Sequence, residues 1–224
     1  MNAGLTELVF ILDRSGSMGG LERETIHGFN GMIERQKAES RNVNVTTVLF
    51  DDAVEIVHDR FPIEIIEPLT EQEYFVKGCT ALLDAVGEAV TKIDNVQKRL
   101  PESYRAEKVI FVIITDGLEN SSERFCYEQV RTMIEEKKQC GWEFLFLGAN
   151  IDAGKEAEKI GIERNRSVTY KNDPDGIEIN FREVGEAVAR AVDISKDSAE
   201  PLFEDDWAEK IEHYRQSQIK RRRS

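Results

Sequence analysis

Hydrophobic residues fall along this chain in two alternating kinds of segment. Residues 5–12, LTELVFIL, run apolar with little polar alternation, as a strand buried on both faces does. Over residues 22–38, Ile26, Phe29, Met32 and Ile33 recur at three- and four-residue spacings, the stripe of a helix packed on one side. Two β-rich segments follow, 42–50 (NVNVTTVLF) and 53–61 (AVEIVHDRF). Only Asp51 and Asp52 separate them, which predicts a tight antiparallel hairpin with both aspartates serving the turn. Leu82, Leu83, Val86, Val90 and Ile93 mark a helix over 81–99, and 108–115 (KVIFVIIT) reads as a second doubly buried strand. Helix 123–139, strand 142–148, short helix 152–160, strand 167–170 and helix 177–194 complete the series. Such alternation predicts an α/β fold: a doubly wound, mostly parallel six-stranded sheet with one antiparallel edge strand and helices on both faces.

The pattern breaks at 195–201, SKDSAEP, which is polar and ends in proline. A main domain over 1–195 and an appendage over 196–224, made of linker, amphipathic helix and basic tail, are expected. In the appendage Phe203, Trp207, Ile211 and Tyr214 recur at spacings of four, four and three, so a helix there presents one aromatic face. That face needs cover, either from the chain's own domain or from the groove of a partner.

Composition narrows the class. A length of 224 residues with 40% hydrophobic content suits one large domain. Cys79, Cys126 and Cys140 are widely spaced and odd in number, which fits neither a disulfide framework nor a paired zinc site and points to a reducing compartment. MNAGLTELVFILD has no basic stretch before its short apolar run, and nowhere do eighteen apolar residues follow one another. A cytoplasmic protein without a membrane segment is the expectation. The net charge of −13 disfavours phosphate backbones. Lys220, Arg221, Arg222 and Arg223 form the basic exception, read as a solvated tail, with nucleic-acid contact as the alternative there.

Three loops carry candidate chemistry. Asp13-Arg14-Ser15-Gly16-Ser17-Met18 follows the first strand and offers one carboxylate and two hydroxyls at alternating positions. These are hard oxygen donors of the kind Mg²⁺ prefers, although Asp and Ser also serve as helix caps. Gly78-Cys79-Thr80-Ala81-Leu82-Leu83-Asp84 precedes the second large helix, where Thr80 could cap, and Thr115-Asp116-Gly117 ends the next buried strand. In open α/β sheets the carboxyl ends of the strands form the ligand crevice, so the three loops are able to meet where the strand order reverses.

Together, D-x-S-x-S, G-x-T-A-x-x-D-A and T-D-G resemble the metal ion-dependent adhesion site of von Willebrand factor A domains, and the likeness covers roughly residues 5–195. It implies a Rossmann-like fold and a metal set of Asp13, Ser15, Ser17, Thr80 and Asp116, holding Mg²⁺ with Mn²⁺ or Ca²⁺ as substitutes. It further implies a non-enzymatic module in which the ion takes an exposed Asp or Glu of a protein partner as its remaining ligand. Family behaviour includes a shift of the last domain helix, here 177–194, on binding. Among subfamilies the chain looks more like the short stand-alone intracellular proteins of bacteria and phages than like integrins or secreted matrix domains. A structural subunit with an unused metal site is the alternative.

Enzymatic readings fare worse. Gly148-Ala149-Asn150-Ile151-Asp152-Ala153-Gly154-Lys155-Glu156 imitates a phosphate loop, but Ala149 stands where glycine is demanded and Glu156 where a hydroxyl must hold Mg²⁺. Asp13 as a phosphoryl-transfer nucleophile lacks the second carboxylate two residues on, a position Ser15 holds. Ser17 lacks a nucleophile elbow, and His27, His58 and His213 fit no zinc or triad motif.

Overall fold

The structure is a computed structural model of the chain, and it describes residues 4–39, 42–195 and 198–223. Six strands form one sheet: β1 (Thr6–Asp13), β2 (Val43–Phe50), β3 (Val54–Pro62), β4 (Lys108–Thr115), β5 (Glu143–Ala149) and β6 (Ser167–Tyr170). Their spatial order is β3-β2-β1-β4-β5-β6. Every neighbouring pair is parallel except β2 with β3, the hairpin that the two-residue Asp51-Asp52 spacer predicts. The helices are α1 (Glu22–Glu39), α2 (Leu82–Arg99), α3 (Tyr127–Gln139), α4 (Ala153–Lys159), α5 (Pro174–Asp193) and α6 (Glu209–Arg223).

Both faces of the sheet are covered, which explains why β1 and β4 lack polar alternation. Leu8, Phe10 and Leu12 of β1 pack with α1, α5 and α6, while Val9 and Ile11 pack with α2, α3 and α4. On the first face α1 meets α5 closely, because Gly28 admits the ring of Phe181, which stands edge-on to Phe29. The strand order reverses between β1 and β4, and the loops leaving their carboxyl ends open a crevice there.

Three boundaries differ from the sequence pattern. Helix α3 begins at Tyr127 rather than 123, because the N–H groups of Glu123, Arg124 and Phe125 are drawn to the carboxylate of Asp84 instead of entering a helix. Helix α5 begins at Pro174 rather than 177, since Asp173 accepts from the Gly176 N–H as N-cap and proline suits the first turn. In the appendage, Phe203 and Trp207 precede the helix, which starts only at Glu209. Phe203, Trp207 and Ile211 are nonetheless buried against the α1–α5 side of the chain's own core, and the Trp207 Nε1–H donates to the Asn165 carbonyl at 2.8 Å. The polar break at 195–201 includes Lys196 and Asp197, which lie outside the described residues.

The β3 edge is irregular. Its register with β2 shifts on both sides of Thr47, and Arg60 takes a left-handed backbone with φ of 53°. Arg60 reaches inward from there to the buried Glu7, to which its Nε donates at 3.1 Å.

Candidate metal centre

Asp13 is the last residue of β1, and its side chain is consumed in holding the loops around it. Its Oδ1 accepts the Ser15 N–H at 2.7 Å, and its Oδ2 accepts Thr115 Oγ1 at 2.6 Å and, at 3.4 Å, the Asp116 N–H. The two loops beside the strand-order reversal are thereby tied to one carboxylate. From behind, the hydroxyl of buried Tyr74 donates to the Asp13 carbonyl at 2.6 Å.

Three hydroxyls gather in front of it. Ser15 Oγ lies 3.1 Å from Ser17 Oγ, and Thr80 Oγ1 donates to Ser15 Oγ at 3.1 Å. Ser17 Oγ donates to Asp116 Oδ1 in a short bond. The structure therefore brings Asp13, Ser15, Ser17, Thr80 and Asp116 into one continuous cluster. Asp13, Ser15, Thr80 and Asp116 are buried, whereas Ser17 is exposed, so the cluster opens to solvent on one side. Gly117 keeps that side clear: a Cβ there would stand 3.0 Å from Thr80 Oγ1 and 3.4 Å from Ser17 Oγ.

The second loop is braced from outside. Thr80 N–H donates to Asn120 Oδ1 at 2.9 Å, and Asn120 N–H returns a bond to the Thr80 carbonyl at 3.1 Å. Thr80 does not cap α2; the N-cap is Ala81, without a side-chain bond. The free N–H groups of the first turn go instead to the loop after β4, Leu83 to Glu119 Oε2 at 2.9 Å and Asp84 to Ser122 Oγ at 3.0 Å. Gly78 completes the junction with φ of 66°, at a place where a Cβ would come within 2.5 Å of Asp52 Oδ1.

Electrostatics single out the two carboxylates. Burial pushes the Asp13 carboxyl above its ordinary value, against the pull of hydrogen bonds from Ser15 and Thr115. Burial likewise drives Asp116 to about 6, with the Asp13 charge adding to the rise and the bonds from Ser17 and Asn172 opposing it. No lysine or arginine among the described residues pairs with either. The neighbouring Arg14 is turned away, donating from Nε to Asp51 Oδ2 at 2.7 Å and stacking over Phe75. Two buried carboxylates and three hydroxyls, all oxygen donors, fit a hard divalent cation. The set differs in kind from a cluster of His, Cys and carboxylates, none of which occurs among the described residues.

Several of these supports carry no motif in the sequence. Asp51 does serve the hairpin turn, accepting the Ala53 N–H at 2.9 Å, but its other oxygen clamps Arg14. Burial opposes its ionisation, yet bonds from Asp52, Ala53 and Arg14 hold its carboxyl below the usual range. Asn172, which donates to Asp116 Oδ2 at 3.0 Å, carried no motif signal. The remaining candidates lie elsewhere: His27 and His213 are exposed, and His58 is buried in β3 with Nδ1 3.0 Å from Thr47 Oγ1. Lys155 turns its ammonium to Asp152 at 3.0 Å, leaving the phosphate-loop imitation internally paired.

Comparisons with known proteins bear on the fold that carries this site. Among solved structures, the vWF domain of the type V pili tip protein Mfa5 from Porphyromonas gingivalis is similar at 11% identity and a TM-score of 0.64, over 88% of this chain and 99% of that one. Proximal thread matrix protein 1 from the mussel byssus, in a structure with a zinc-occupied MIDAS motif, is similar at 15% identity and a TM-score of 0.56. That match covers 84% of this chain and 46% of the mussel protein, so the chain spans about half of its length. The von Willebrand factor type A protein from Catenulispora acidiphila is similar at 16% identity and a TM-score of 0.52, over 81% of this chain and 42% of that one. No curated protein matches by sequence. The family model of the von Willebrand factor type A domain matches residues 7–183, from the first strand into α5, and the chain belongs to that family.

Proposed function

We propose that the chain is a metal-dependent protein-binding module, not an enzyme, in which Asp13, Ser15, Ser17, Thr80 and Asp116 hold Mg²⁺ and a partner's Asp or Glu completes its coordination. The carrying observation is the pair of buried carboxylates without a basic partner among the described residues, set against three hydroxyls and open at Ser17. With few anionic oxygens in reach, a bound ion stays electrophilic toward an incoming carboxylate. Mn²⁺ and Ca²⁺ would be accepted by the same donors. Exposed Leu118, two residues beyond Asp116, and exposed Phe75 supply apolar surface that would discriminate among acidic partners.

The reading includes residues 1–195 as the binding domain, 196–224 as an appendage, and a cytoplasmic module of the stand-alone bacterial or phage kind. Three exposed, unpaired cysteines support a reducing compartment. Among the described residues no helix is long and apolar enough to cross a membrane.

Calorimetric titration of Mg²⁺ and Mn²⁺ into the full chain tests the metal, and capture from host lysate with Mg²⁺ or EDTA tests its use. Saturable binding lost in Asp13→Ala and weakened in Ser17→Ala, together with a captured protein released by EDTA, is the expected result. Capture indifferent to EDTA and to both substitutions would overturn the reading.

A further inference from the structure

The carboxylate of Asp116 is gripped from two sides: Ser17 donates to Oδ1, and the Nδ2 of Asn172 donates to Oδ2 at 3.0 Å. Asn172 belongs to none of the three motif loops. It comes from the turn between β6 and α5, two strands away from β4 in the sheet. A carboxylate only accepts, so the amide must present its NH₂ end here. The opposite end, Oδ1, is buried without a hydrogen-bond partner among the described residues. An asparagine serving a turn would bond to its own loop backbone. This one reaches across the crevice, and Asp116 is the one partner of its side chain among the described residues.

The turn that carries Asn172 is itself anchored. The next residue, Asp173, caps α5 by accepting the Gly176 N–H at 2.9 Å, and the same Oδ1 accepts the Tyr214 hydroxyl of α6 at 3.2 Å. Asn172 therefore addresses Asp116 from a fixed base.

We propose that Asn172 is a positioning residue of the metal centre: by holding Oδ2 it fixes the rotamer of Asp116 so that Oδ1 faces the serine hydroxyls and the ion, which Asn172 does not touch. The proposal rests on the metal-binding reading of the site. Outer partners of metal ligands govern affinity because they remove the cost of ordering the ligand, and their loss weakens binding by about 10–100-fold. A neutral amide donor belongs at the lower end of that range.

Mn²⁺ titration of the full chain, followed by electron paramagnetic resonance of the bound ion, tests this in Asn172→Leu, which keeps the shape and loses the donor. Binding weakened about tenfold, an altered resonance line shape and a metal-free Tm near that of wild type are expected. Tyr214→Phe is the control, because it loosens the same turn without touching Asp116, and it should leave Mn²⁺ affinity near wild type. Unchanged affinity in Asn172→Leu would overturn the proposal, as would an equal loss in Tyr214→Phe. A wild-type chain that takes up no Mn²⁺ would remove the metal site itself, a failure distinct from either of these.

Discussion

At the scale of single residues, Asp116 turns the geometry into a pH-dependent property. Its carboxyl stands at about 6 in the metal-free fold against 3.8 ordinarily, so between those values the folded chain binds more protons than the unfolded one. Stability of the metal-free protein therefore falls as pH rises through that window, and the raised Asp13 carboxyl acts in the same direction. A divalent cation should reverse the penalty where both groups are ionised. Scanning calorimetry with saturating Mg²⁺ is expected to raise Tm by several degrees at pH 7.5 and by much less at pH 5, where protons compete with the ion. An equal gain at both pH values, or an undiminished gain in Asp116→Asn, would contradict the assignment. The five candidate ligands were legible in the sequence through the resemblance of three separate loops to a known family's metal site, with only Asp13, Ser15 and Ser17 standing at short alternating spacing. Arg14, Asp51 and Asn172 were not, because their partners are distant in the chain: Asp51 announces a turn, and nothing local says that it also receives a guanidinium from 37 positions earlier.

Helix α2 is joined to the fold less by a cap of its own than by a neighbouring loop. Asp84, on the first turn of α2, gathers the N–H groups of Glu123, Arg124 and Phe125 at 2.8–3.0 Å. In return Glu119 and Ser122 receive the N–H groups of that turn. Burial would raise the Asp84 carboxyl, but those three donors and the Arg124 charge hold it below the ordinary range. Its stabilisation is therefore present above the ordinary carboxylate pH and is lost as pH falls through the depressed folded value. Asp84→Asn should cost about 2–4 kcal/mol in urea unfolding at pH 7. The difference from wild type should shrink at pH 3, and a cost that persists unchanged in acid would assign the effect to shape instead of charge. The same network explains why helix α3 was read from 123: the hydrophobic pattern cannot see that a carboxylate 39 residues earlier claims the backbone before the helix starts. The start of α5, by contrast, is marked in the sequence by Asp173-Pro174, a cap and first-turn proline, although the apolar stripe begins only at Ile177.

Across the whole molecule, alternation of doubly buried strands with striped helices carried the mostly parallel six-stranded sheet and its single antiparallel edge, since each follows from burial and short connections. The course of the last thirty residues did not follow from their pattern. An aromatic face at helical spacing predicts a helix from Phe203, yet Phe203 and Trp207 reach the core from turns, and only Ile211 and Tyr214 lie on α6. Trp207→Ala, which empties a buried indole site and strands the Asn165 carbonyl, should cost about 3–5 kcal/mol in denaturant unfolding. A cost below 1 kcal/mol would mean that the terminal segment is dispensable to the fold.

The irregular β3 strand has a consequence of another kind. An open sheet ends in rows of unsatisfied amides that invite strands of other molecules and so seed fibrils. Here β3 is broken by two register shifts, carries the left-handed Arg60 and closes on Pro62, while β6 is only four residues long with α6 packed against it. Neither margin presents a flat template of useful length. Edges built this way oppose propagation of the sheet from molecule to molecule, so that a contact made by this chain with another protein is not expected to run through strand addition.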